Sequence, residues 1–136
     1  MRRSYLGIAL GFLLFFWPFG SSQKTFHLSA SSAVPAASAT VKLGQDSNGN
    51  TTIDLRVYHL AYPTKLTPAY MAYVVWIQPN GRPAEELGQL RVNSHLTARF
   101  KAITPYSSFR LLVAAANNTQ AIEPGPHIIF HGEVSR

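Results

Sequence analysis

Residues 70–92 read YMAYVVWIQPNGRPAEELGQLRV. From Tyr70 to Gln78 both odd and even positions are apolar. Successive side chains of a strand point to opposite faces, so this pattern belongs to a central strand covered on both sides. Pro79-Asn80-Gly81-Arg82-Pro83 then forces a tight turn, and Gly81 suits a turn that needs an unusual φ. Leu87–Val92 follows as a short strand, and Gly88 within it permits a close backbone approach or a bulge.

The same strand-and-turn rhythm extends outward in both directions. Thr25–Ser29 places Phe26 and Leu28 on one face, and Ala39–Leu43 does the same with Val41 and Leu43. Thr51–Leu60 turns Ile53, Leu55 and Val57 inward and Asp54, Arg56 and Tyr58 outward. Between these last two runs, Asn48-Gly49 marks a hairpin. Leu96–Ala102, Phe109–Ala115 and His127–His131 complete the series. No segment shows the i, i+3, i+4, i+7 spacing of an amphipathic helix. Seven or eight strands with turns every ~8–12 residues predict an all-β, antiparallel sandwich of the immunoglobulin-like kind.

Before these strands the chain opens MRRSYLGIALGFLLFFWPFGSSQK. Arg2 and Arg3, an uncharged run over Tyr5–Phe19, and the small residues Gly20, Ser21 and Ser22 are the three parts of a secretory signal peptide. The expected organisation is a signal over residues 1–22, a strand and Ala/Ser-rich linker over 23–38, and the sandwich over 39–136. The alternative is a membrane anchor over residues 5–19. That run is shorter than the ~20 residues a spanning helix needs, and Pro18 breaks its end. Setting Arg2 and Arg3 aside lowers the formal charge from +6 to +4. The remaining basic residues are scattered along the chain and form no nucleic-acid footprint. There is no cysteine, which removes disulfides, thiolate metal sites and cysteine nucleophiles.

Chemistry-bearing residues form no motif. His127 and His131 would lie ~13 Å apart on a strand, too far for one metal, and His27, His59 and His95 stand alone in sequence. Glu85 and Glu86 face opposite ways on a strand, and Gly-x-Ser-x-Gly is absent. The reading is therefore no catalytic residue, no metal and no cofactor. Tyr58, Tyr62 and Tyr70 are the candidates for an exposed partner or ligand surface, whereas Trp76 is expected to anchor the core. Asn50-Thr51-Thr52 and Asn117-Asn118-Thr119 fit the N-glycosylation pattern.

Over Ala72–Asn93, AYVVWIQPNGRPAEELGQLRVN, an apolar strand ending in Trp, a Pro/Asn-Gly turn and Leu-Gly-x-Leu follow one another. This resembles the extracytoplasmic C-terminal domain of anti-sigma-K-type factors. The likeness covers roughly residues 39–134 and is carried by Trp76, Gly81, Leu87, Gly88, Leu90 and Phe109, which are structural positions. The resemblance implies an outer β-domain at the cell envelope. It also implies a glutamate after the strand matching Phe109–Ala115, where this chain has Ala114-Ala115-Ala116-Asn117. Anti-sigma factors hold their sigma factor with a cytoplasmic N-terminal domain, and almost nothing precedes the apolar run here. The expectation is an outer domain standing alone.

The expected function is thus an exported, non-catalytic module that binds or senses in the envelope, secreted or periplasmic. Its partner would be a protein or small ligand there. It would not bind nucleic acid, and would meet a membrane only through an uncleaved signal. A small secreted hydrolase or carbohydrate-active protein is the first alternative. A structural or adhesive subunit that offers an edge strand near Val34 is the second.

Overall fold

A computed structural model describes residues 23–136, so the signal and anchor readings of residues 1–22 lie outside the described residues. The strands are β1 (Lys24–Ala30), β2 (Ser38–Gln45), β3 (Thr51–Tyr58), β4 (Ala72–Pro79), β5 (Glu85–Leu90), β6 (Ala98–Thr104), β7 (Ser108–Ala116) and β8 (Ile128–Ser135). The single helical piece among the described residues is a 3-10 turn over Pro63–Lys65. The described residues are all-β and every strand pairing among them is antiparallel.

Where the sequence predicts a two-sheet immunoglobulin-like sandwich, hydrogen bonding joins all eight strands in one sheet, in the order β5-β4-β7-β8-β1-β2-β3-β6. The joint is β1. Its residues Lys24–Leu28 pair with β2, and Ser29–Ala30 pair with β8. The connectivity also differs. In an immunoglobulin domain the strand beside B is E, which comes later in the chain. Here β3 follows β2 directly as a hairpin with Gly49 at φ 83°. The sheet rolls until its two edge strands, β5 and β6, touch and nearly close a barrel.

Of residues 23–38, read as a strand and linker ahead of the sandwich, Lys24–Ala30 forms β1 of this sheet and Ser38 opens β2. β1 is an inner strand, and Val34 and Ala37 are buried in the core. Val34 therefore offers no detachable edge. Ser31 to Ala37 instead makes two short turns, Val34 N–H to Ser31 O and Ala37 N–H to Val34 O.

The main core lies inside the roll. Alternation sends Val41 and Leu43 inward from β2, Ile53, Leu55 and Val57 from β3, Tyr73, Val75 and Ile77 from β4, and Leu111 and Val113 from β7. β4 is apolar on both faces, as its sequence demands, because one face meets the main core and the other is packed by Ala84, Ala121 and Ile128. Its other face carries a second, smaller cluster of Val74, Trp76, Leu112 and Ala114. Trp76 is thus buried, but on the face that turns away from the main core.

Candidate functional site

The period of two that fills the core also decorates the outside. With Ile53, Leu55 and Val57 inward, β3 presents Thr52, Asp54, Arg56 and Tyr58 outward. β2 likewise presents Thr40 and Lys42, and β6 presents Arg99, Lys101 and Ile103. Register then aligns them in rows. Thr40, Arg56 and Arg99 form one row, and Lys42, Asp54 and Lys101 the next. Neighbouring strands are only ~4.8 Å apart. Four cations from three strands therefore gather around one carboxylate.

Arg56 and Arg99 are direct cross-strand partners, an arrangement that repels by itself. Asp54 offsets it. Arg99 donates two hydrogen bonds to Asp54, Nε to Oδ1 at 3.2 Å and Nη2 to Oδ2 at 3.1 Å. Nη2 of Arg56 lies 3.6 Å from the same Oδ2. The Arg99 hydrogen bonds hold the Asp54 carboxyl below its ordinary range, against the opposing effect of desolvation and with lesser help from the charges of Arg99, Arg56 and Lys101. The same bonds raise the pKa of Arg99. Arg99 is thereby committed. Arg56 is held more loosely: its Nε is buried without a hydrogen-bond partner, and its Nη2 meets Asp54 only as a 3.6 Å ion pair.

Beside these two arginines an open groove of about 220 Å³ is lined by Tyr58, Asn93 and Thr97 as well. The Asn93–Thr97 loop that walls it is tied to itself: Asn93 Oδ1 accepts from the N–H of His95 and of Thr97. Two features show strain here. His59 at φ 58° and Leu96 at φ 60° are the two non-glycine residues with positive φ among those described, and Leu60 N–H bonds to Leu96 O at 3.0 Å. Positive φ is costly for a leucine, and such outliers cluster at binding sites.

The three candidate tyrosines separate. Tyr58 is exposed on the rim of the groove. Tyr62 stands behind its wall, donating its hydroxyl to Asn93 O at 3.1 Å. Tyr70 lies elsewhere, its ring 4.8 Å from that of His127 at a shallow groove floored by Trp76. The Trp76 indole N–H has no acceptor. Among the remaining singled-out positions, Leu90 and Phe109 are core residues and Leu87 is half-buried against them. Gly81, at φ 76°, turns the chain between β4 and β5. Gly88 sits at a bulge opposite Val75.

All five histidines are exposed, and among the described residues no three His, Cys, Asp or Glu side chains assemble into a metal-binding group. Asn50 is half-buried and bonded to Asp46 through its N–H and its side-chain amide, while Asn117 Oδ1 accepts from Met71 N–H. Sequence reasoning missed the basic face because its members lie far apart along the chain. The alternation of β2, β3 and β6 was the available signal, but it needed the strand order. Comparison with protein-family models, with curated proteins and with solved structures finds no match for this chain.

Proposed function

We propose that this protein is an exported, non-catalytic module that binds an anionic partner in the cell envelope through the outer face of β2, β3 and β6. One observation carries the reading: Arg56 and Arg99 are paired across adjacent strands around a single carboxylate, and Arg56 reaches it only through a 3.6 Å ion pair of Nη2, its Nε having no hydrogen-bond acceptor. Such a face gains stability when an anion arrives, because the added charge relieves the Arg–Arg repulsion. The signal-like start and the resemblance to anti-sigma outer domains favour the envelope, either free in the periplasm or medium or held by residues 5–19. The sandwich-like part of the reading rests on two curved halves, β1-β2-β3-β6 and β5-β4-β7-β8, enclosing one core, with a connectivity other than the immunoglobulin one.

The test is titration of the purified protein with dextran sulfate at low and high salt. Saturable binding that weakens with salt, and falls about tenfold in Arg56→Ala, is the expected result. Absence of binding at low salt sinks the reading. N-terminal sequencing of the exported protein tests the address: a start at Gln23 is expected, and a start at Met1 overturns cleavage.

A further inference from the structure

We infer that the anion taken by the Arg56 groove is the carboxylate of an acidic sugar within a polysaccharide. This inference rests on the anion-binding reading above and goes further by naming the ligand class.

Three properties of the groove lead there. First, its charge is modest. Lys42, Arg56, Arg99 and Lys101 surround Asp54, which already holds Arg99. Nucleic-acid binding driven by counterion release uses more phosphate contacts than this face has free cations. Polybasic membrane docking uses clusters of ~4–8 uncompensated Lys or Arg. A chain with one carboxylate per ring matches a face with one guanidinium held to its carboxylate only by a 3.6 Å ion pair.

Second, the remaining lining is the kind that suits a hydroxylated ring. Tyr58 lies two residues from Arg56 on the same face of β3 and is 42% exposed at the groove's rim. An exposed phenol ring offers a flat apolar surface for the C–H face of a pyranose, and its hydroxyl remains free to hydrogen-bond. Thr97 and Asn93 add polar groups to the same lining.

Third, the size fits. At about 220 Å³ the groove is smaller than a drug-sized pocket of roughly 300–1,000 Å³. It is open, so it admits one ring while the rest of a polymer runs on across the sheet. Guanidinium meets carboxylate as a planar two-point fork, which a lysine cannot reproduce.

The deciding experiment is calorimetry of the purified protein at physiological salt with five probes. These are galacturonic acid oligomers, malto-oligosaccharides of equal length, polyphosphate, a single-stranded oligonucleotide, and phosphatidylglycerol vesicles. The expected result is binding of the galacturonate oligomers about tenfold tighter than of any other probe. Tyr58→Ala should weaken that binding about three- to tenfold and leave polyphosphate unchanged. Arg56→Lys should lose it while retaining weak polyphosphate binding, and circular dichroism of both variants should match the parent. If polyphosphate, the oligonucleotide or the vesicles bind as well as the galacturonate, the sugar-acid assignment is overturned and the anion-binding reading stands. If Tyr58→Ala has no effect on galacturonate, the assignment likewise falls. If no probe binds at low salt either, both fall together.

Discussion

Gly88 of β5 and Phe100 of β6 touch across the seam where the sheet nearly closes. A Cβ built on Gly88 would lie 3.0 Å from Cε1 and 3.2 Å from Cζ of the Phe100 ring. Leu87 has no partner on β4, so the bulge there swings Gly88 toward β6. Its φ of 157° is a conformation that side-chain-bearing residues rarely adopt. Gly88→Ala should therefore lower stability by about 1–3 kcal/mol, read as a shift of the urea midpoint. In a Phe100→Ala background the steric part of that cost should vanish and only the backbone part remain. An unchanged midpoint for Gly88→Ala in the parent would show that the seam is open.

Tyr73 supplies a second prediction. The residue is buried in the core, its hydroxyl donates to Ala61 O at 2.7 Å, and desolvation pushes its pKa up to about 12. The folded value lies above the ordinary 10. Tyr73 therefore stabilises fully below about pH 10, and that contribution is lost as pH rises through 12. Tyr73→Phe should cost about 1 kcal/mol at neutral pH, from the lost hydrogen bond. It should also flatten the alkaline decline between pH 10 and 12. Thermal melts across that range check both. A variant whose alkaline limb overlays the parent's would show that the hydroxyl ionises as easily folded as unfolded.

The strands were legible because each is a local pattern. Ile53-x-Leu55-x-Val57 and the two-sided run Tyr73–Ile77 can fold in few other ways. Their pairing was not legible. That β1 would serve both β2 and β8, or that β6 would lie beside β3, depends on contacts between distant residues that no short window contains. The candidate site inherits that gap. Arg56 and Arg99 are 43 positions apart and read as scattered charge, yet register makes them neighbours. Trp76 shows the same limit: a strand apolar on both faces predicts burial, but not which side of the sheet takes the indole.

Arg136 pins the hairpin between β2 and β3. Its Nε donates to Thr51 Oγ1 at 2.6 Å and its Nη2 to Gly49 O at 2.8 Å. Thr51 is fully buried as a residue, so removing the donor leaves a polar oxygen with poor access to water. Arg136→Ala should cost about 1–3 kcal/mol. Amide exchange should speed up at Asn50 and Gly49, near the hairpin tip, more than at β7. Uniform exchange would show that the tip holds without the pin.

Asp54 should act in opposite senses on fold and function. It lies between Arg56 and Arg99 and offsets their repulsion, and the Arg99 hydrogen bonds keep its pKa lowered. The folded value is depressed, so its stabilisation is present above the ordinary carboxylate pKa and is lost as pH falls through the folded one. Asp54→Asn should cost roughly 0.5–1.5 kcal/mol at pH 7, since the pair is partly exposed to solvent. It should also make the acid limb of the stability curve shallower. The same change frees the fork of Arg99 and adds one positive charge to the face, so affinity for an anionic probe should rise several-fold while the protein becomes less stable. Parallel denaturation and dextran sulfate titrations decide the matter. If both stability and affinity fall, Asp54 orders the two arginines for the ligand; if affinity rises as stability falls, it competes with the ligand for them.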